Sequence, residues 1–151
     1  MSHQDNLVMK VERIANAPVD LVFAVWTKAE HLDHWWGPHG FSTTTSSMTF
    51  VVGGSWEFLM EHAEYGKFPN YIKYLEIEEN KKIIYDHGSS KDTPPDFRST
   101  ITFEGMGTQT KVTLLLRFNS ESVYTQEKEH NAESSGMETL EKMEKYAQSQ
   151  L

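Results

Sequence analysis

Hydrophobic and polar positions alternate between a period of two and a helical period along this chain. Residues 7–14, LVMKVERI, alternate loosely and predict a first strand. In NAPVDLVFAVWT, Pro18 suits a helix's first turn, with Asn16 or Ala17 at the cap. Val19, Val22, Phe23 and Trp26 then fall at i, i+3, i+4 and i+7, on one helical face. KAEHLDHWW repeats the pattern with Leu32, Trp35 and Trp36, and Gly37-Pro38 ends that second helix. From Phe41 the period becomes two. FSTTTSSMTFV predicts a strand, Gly53-Gly54 a turn, and SWEFLMEH a strand that sets Trp56, Phe58, Met60 and His62 against Ser55, Glu57, Leu59 and Glu61. NYIKYLEIE and KIIYDHG predict a hairpin turning near Asn80, and SSKDTPPD a polar loop. RSTITFE and TKVTLLLRF form a last hairpin, with the glycines of GMGTQ serving its turn. After Ser120 the strand signal stops. Met137, Leu140, Met143, Glu144 and Ala147 keep helical spacing, with Glu138, Glu141, Lys142 and Lys145 opposite, which predicts an amphipathic helix of about four turns. Residues 120–131 fit either a shorter helix or a loop.

The predicted order is β–α–α–β6–α in one domain, residues 1–151. An α+β architecture satisfies these apolar faces: a curved antiparallel sheet of about seven strands around a long C-terminal helix. Bulky rings on both sides leave room for a cavity between them. Composition narrows the function. The chain has 14 Lys+Arg against 22 Asp+Glu, a net charge of −8 that repels phosphate backbones, so nucleic acid is not an expected partner. It has no cysteine, which excludes disulfides and thiolate chemistry and fits a reducing cytoplasm, the expected location. MSHQDNLVMKVERI has no leader pattern, and no apolar run reaches the ~18 residues of a membrane span.

The order of elements resembles the helix-grip fold of the START and birch-pollen-allergen superfamily. More narrowly, APVDLVFAVWTKAEHLDHWWGP resembles the opening of the activator of heat-shock protein 90 ATPase homologue family, where a helix with Val-Phe precedes one ending in Trp-Trp-Gly-Pro. VGGSWEFLM, EIEENKKIIYDHG and GTQTKVTLLLRF resemble its later strands. Where that family's closing helix usually begins Gly-Trp, this chain has Gly136-Met137, and a flexible methionine implies a differently shaped cavity. The resemblance implies the helix-grip fold. It does not imply a co-chaperone role, because the expected chaperone-binding motifs and additional domain are not read in this sequence. Single-domain relatives include lipid carriers, polyketide cyclases and antibiotic self-resistance proteins.

The aromatic residues are the strongest constellation. Trp26, Trp35, Trp36, Trp56, Phe58 and Phe103 are candidate walls of a ligand cavity, joined by Met60, Met137 and Leu140. His62, Glu76, Tyr85 and His87 are candidate polar anchors. Glu76 shares a parity with Ile72 and Tyr74, which would turn it inward, while Leu75 and Ile77 compete for that face. His31 and His34 have the i, i+3 spacing of a metal pair but read more readily as solvated or capping residues. No metal or cofactor is expected, and there is no catalytic-serine or phosphate-loop motif. The first functional expectation is binding of a small hydrophobic or amphipathic molecule. An alternative is a cyclase- or hydrolase-type enzyme using the same cavity, which needs an inward acid or base. A third is a protein-interaction role in stress response or chaperone regulation. Self-association as a homodimer through a strand edge or a helix stays open.

Overall fold

The computed structural model describes residues 7–151. Residues 1–6, part of the segment read for a leader and of the domain drawn over 1–151, lie outside the described residues. The order is β1 (Val8–Ala15), α1 (Val19–Ala24), α2 (Ala29–Trp35), β2 (Phe41–Met48), β3 (Ser55–His62), β4 (Gly66–Glu78), β5 (Lys82–Gly88), β6 (Phe97–Met106), β7 (Gln109–Phe118), α3 (Glu121–Glu129) and α4 (Ala132–Ser149). All seven strands join one antiparallel sheet in the order β1-β7-β6-β5-β4-β3-β2, with α4 packed across its inner face. This is the α+β helix-grip fold. Residues 120–131, open between helix and loop, form α3, capped by Ser120, whose hydroxyl accepts from Val123 N.

Pairing explains most of the pattern. β2 to β7 are a meander whose longest connection is the polar loop between β5 and β6, and β1 closes onto β7 from Val8↔Arg117 to Ala15↔Thr110. Inward positions of neighbouring strands stand opposite one another: Tyr74, Tyr85, Ser99 and Leu116 form one rung, and Ile72, His87, Phe97 and Phe118 the next. β4 is longer than its sequence pattern predicts. It begins at Gly66, and residues 66–70 pair with β3 but extend past the end of β5. Pro69 lies in this overhang, where a missing N–H is tolerated.

One bulge corrects a sequence expectation. The β4–β5 register slips between Tyr74 and Glu76, which reverses the facing of the residues that follow. Ile77 therefore pairs with buried Ile83 and packs on the core, while Glu76 pairs with Ile84 and forms an ion pair with Lys82 at 3.4 Å on the outer face. Glu76 is not an inward anchor.

α4 keeps the expected phase, and of the expected inner residues only Met137 departs from it. The buried residues of this helix are Leu140, Met143, Glu144 and Ala147. Gly136 lies within that arc, close enough that a Cβ there would stand 3.1 Å from Val11 Cγ2. Met137 lies at the arc's edge and is 38% exposed. Glu138 and Lys142, expected on the solvent face, instead hold the α2–β2 corner. Glu138 Oε1 accepts from His39 N at 3.0 Å, and Lys142 Nζ donates to Gly37 O at 3.0 Å. Gly37 makes that corner with φ +98, and a Cβ there would meet Met60 Cε at 2.8 Å.

Glu144 is the buried acid that binds α4 to the sheet. Oε1 accepts from Arg13 Nε and Oε2 from Asn16 N, both at 2.7 Å. Both carboxylate oxygens are satisfied, so burial of the charge is tolerated. Glu144→Ala leaves Arg13 and the Asn16 amide without their partner, and we expect a loss of about 2–3 kcal/mol in urea unfolding. Glu144→Gln keeps an acceptor for one of them and should lose less than Glu144→Ala. Equal losses would show that packing, not the paired charge, sets the energy.

Candidate functional site

The interior divides into a filled end and an open end. At the filled end, Trp26, Trp35 and Trp36 pack edge-on or tilted with ring centroids 4.8–5.9 Å apart. Trp56 stacks on Phe58 at 3.9 Å, and Phe103 packs edge-on against Phe23 at 5.3 Å. Three of the four indole N–H groups are satisfied within the protein: Trp26 Nε1 donates to Met143 Sδ, Trp35 Nε1 to Val25 O and Trp56 Nε1 to Thr45 Oγ1. At the open end, the inward positions of α4 are Ala132, Ser135, Gly136 and Thr139. Small side chains there leave a cavity of about 780 Å³ against the sheet.

Four structural elements enclose this space. The sheet floor supplies Tyr85, His87, Phe97, Ser99, Leu114 and Leu116. The α2–β2 corner supplies Trp36, Gly37, Pro38 and Phe41. The β3–β4 hairpin supplies Met60, Tyr65, Phe68 and Asn70. Glu127 and His130 stand at the α3–α4 joint, where Asn131 adopts φ 57, and Leu140 marks the inner limit on α4. Tyr65 is 67% and Phe68 42% exposed, so this hairpin forms a rim open to solvent.

Of the residues singled out in the sequence, Trp26, Trp36, Met60, Tyr85, His87 and Leu140 reach the cavity. Trp35, Trp56, Phe58 and Phe103 are buried in the filled end instead, because their rings pack on one another. Met137 is turned outward by the helix phase, and Glu76 by the bulge. His62 is a turn residue: its Nδ1 accepts from Glu64 N at 3.0 Å, and its ring stacks on Tyr65. His31 and His34 contact Tyr146, through a 2.7 Å hydrogen bond and a stack respectively. No group of three or more potential metal ligands occurs among the described residues.

Sequence reasoning missed the small-residue side of the cavity. Ala132, Ser135, Gly136 and Thr139 recur at i, i+3, i+4 and i+7 on the inner helix face. A helix whose core-facing positions are small for two turns must leave space opposite large strand residues.

The polar part of the floor is compact. His87 Nε2 contacts Asn70 Oδ1 at 2.7 Å, and Asn70 Nδ2 donates to Phe68 O at 2.9 Å. The His87 ring is partly buried on the cavity floor, and desolvation by the surrounding protein pushes its pKa down to about 4. The imidazole is therefore neutral at pH 7. Burial pushes the Tyr85 phenol up. Ser99 lies beside it and opposes that rise from close range, yet the Tyr85–Ser99 contact falls short of hydrogen-bond geometry, and Ser99 Oγ is the buried side-chain polar atom left without a well-formed hydrogen bond among the described residues. At the mouth, burial raises the Glu127 carboxyl, opposed in part by His130.

The whole chain is similar to solved structures. A protein from Nitrosomonas europaea shares 22% identity over 99% of this chain and 98% of its own, with a TM-score of 0.86. A protein from Arthrobacter aurescens shares 22% over 99% and 90%, with a TM-score of 0.87. An AHSA1 protein from Silicibacter pomeroyi shares 16% over 95% and 99%, with a TM-score of 0.71. At these identities the likeness speaks for the fold alone. No curated protein matches the chain. No helix among the described residues is long and apolar enough to cross a membrane. Residues 16–148 match the family described as activator of Hsp90 ATPase homolog 1-like protein, and the chain belongs to that family.

Proposed function

We propose that this protein binds one small hydrophobic or amphipathic molecule in the cavity between the sheet and α4. The carrying observation is the cavity itself: about 780 Å³ within an otherwise filled aromatic interior. Ligand sites usually fall between ~300 and ~1,000 Å³ and combine apolar walls with few polar groups. Here the walls are Trp36, Met60, Phe97, Leu114, Leu116 and Leu140, with polar groups on the floor at Tyr85, His87 and Ser99 and others on α4 and at the mouth. The rim at Tyr65 and Phe68 gives a way in.

The same geometry supports binding over turnover. An enzyme of the cyclase or hydrolase type needs an acid or base oriented toward the substrate. His62 and Glu76, two of the candidates, lie elsewhere. His87 faces the cavity, but its partner is the Asn70 amide instead of a carboxylate, and Ser99 Oγ is not hydrogen-bonded to it. No nucleophile–base pair is assembled on this floor.

Two outcomes test the reading. In a screen of neutral hydrophobic compounds, a ligand present at a hundredfold excess over its Kd should add about 2.7 kcal/mol. That raises Tm by roughly 5–10 °C for a chain of this size. Native mass spectrometry should show one molecule per chain, and Leu116→Phe, which puts a ring into the space, should weaken binding by roughly tenfold. Binding that Leu116→Phe leaves unchanged would place the ligand elsewhere.

The second outcome concerns pH. The folded pKa of His87 lies below the ordinary 6.5, so the unfolded chain takes up this proton first as pH falls. Its contribution to stability is complete above about pH 6.5 and is lost as pH drops toward 4. Relative to His87→Gln, the wild-type unfolding free energy should rise by at most about 3 kcal/mol between pH 4 and 6.5, then stay level. A difference already constant from pH 4 upward would mean that His87 is not held neutral by burial.

A further inference from the structure

We infer that the cavity floor recognises a hydroxyl group on an otherwise apolar ligand, with Ser99 Oγ donating to the ligand's oxygen and His87 Nδ1 accepting its hydrogen. This rests on the binding reading above and specifies the class of ligand: a neutral alcohol or phenol.

Three observations carry it. The first is Ser99. Its side chain is fully buried, lines the cavity, and has an oxygen that stands beside the Tyr85 phenol without completing a hydrogen bond of good geometry. Buried hydroxyl groups are nearly always hydrogen-bonded, so an orphan facing a cavity points to a partner that is bound there.

The second is the direction of the hydrogen bonds. Asn70 Nδ2 is committed to Phe68 O, which turns Oδ1 toward His87 Nε2. Oδ1 can only accept, so Nε2 must carry the hydrogen. In a neutral ring Nδ1 is then a bare acceptor. No partner for Nδ1 occurs among the described residues. In the sheet, Ser99 stands opposite Tyr85 and Phe97 opposite His87, so the donor and the acceptor occupy adjacent rungs of one face. Diagonal neighbours of this kind lie about 7–8 Å apart along the backbone with their Cβ atoms closer, so their side chains can converge on one head group from the same face. A hydroxyl satisfies both. A ketone or ether leaves Nδ1 unmet.

The third is charge. Among the described residues no lysine or arginine lines the cavity. Its ionisable groups, besides His87 and the tyrosines Tyr65 and Tyr85, are Glu127 and His130 at the mouth. A carboxylate head on the floor would be a buried anion without a counter-ion, which is strongly disfavoured.

Calorimetric titration at pH 7 with 2-naphthol, 2-methoxynaphthalene and 2-naphthoate tests this. These probes share one apolar body and differ in the head group. We expect 2-naphthol to bind at least about tenfold more tightly than either of the others, because each of those leaves a floor group unpaired. Ser99→Ala should weaken 2-naphthol and 2-methoxynaphthalene by a similar factor, because both oxygens accept from Ser99, whereas His87→Phe, which removes the acceptor, should bring 2-naphthol to within about threefold of 2-methoxynaphthalene. Equal binding of all three probes by the wild-type protein, or tighter binding of 2-naphthoate, would overturn the hydroxyl assignment and leave cavity binding intact. Binding by none of them would remove both.

Discussion

The interior of this protein follows a gradient of side-chain size along the inner face of α4. The first two turns present Ala132, Ser135, Gly136 and Thr139, and the later turns Leu140, Met143 and Ala147. Protein interiors pack to crystal-like density, so each side chain withheld from a helix face becomes space unless the sheet moves in. The sheet cannot, because its strands are fixed by continuous pairing from β1 to β2. The rings of α1, α2 and β3 close the gap at one end, where Trp26, Trp56 and Phe103 lie. At the other end it stays open.

A helix over a cavity has lost much of the apolar contact that would normally seat it. Directional bonds at its sides replace that contact. Glu144 is bound by Arg13 and the Asn16 amide, Lys142 by the carbonyl of Gly37, and Glu138 by the His39 amide. Lys142 is partly desolvated, which lowers its pKa. These contacts also tie α4 to the Trp-Trp-Gly-Pro corner, so the position of Trp36 on the cavity wall and the seat of the helix are set together. The carbonyl that receives Lys142 belongs to Gly37, whose positive φ allows the corner to form.

The fold was largely legible because period-two runs and helical runs were well separated, with glycine and proline between them. What escaped depended on one-residue shifts. A bulge at Leu75 reversed the facing of Glu76, and pattern alone gives no position for a bulge. Met137 and Gly136 compete for one inner position on α4, and hydrophobicity favours the wrong one, since the glycine is there for its lack of a side chain. The aromatic residues named large groups correctly but could not be divided between core and wall, because both uses bury the same kind of ring. His87 faces the cavity as its parity with Ile83 and Tyr85 suggested, because no bulge interrupts that part of β5. Ser99 was passed over: a serine inside a strand carries no signal until its missing partner is seen.

The overhang of β4 beyond β5 has a consequence for the behaviour of the protein in crowded solution. Residues 66–70 pair with β3 on one side and extend past β5 on the other, beside the exposed rings of Tyr65 and Phe68. An open strand edge next to aromatic residues invites another chain to add a strand, the first step of edge-to-edge aggregation. Pro69 sits opposite Leu59 within the β3–β4 ladder. Having no N–H, it is accommodated only where its nitrogen points away from β3, toward the open side. An incoming strand would find a missing donor in the middle of its template. The same residue thus lets the cavity rim stay apolar and open without making it a seed for fibres.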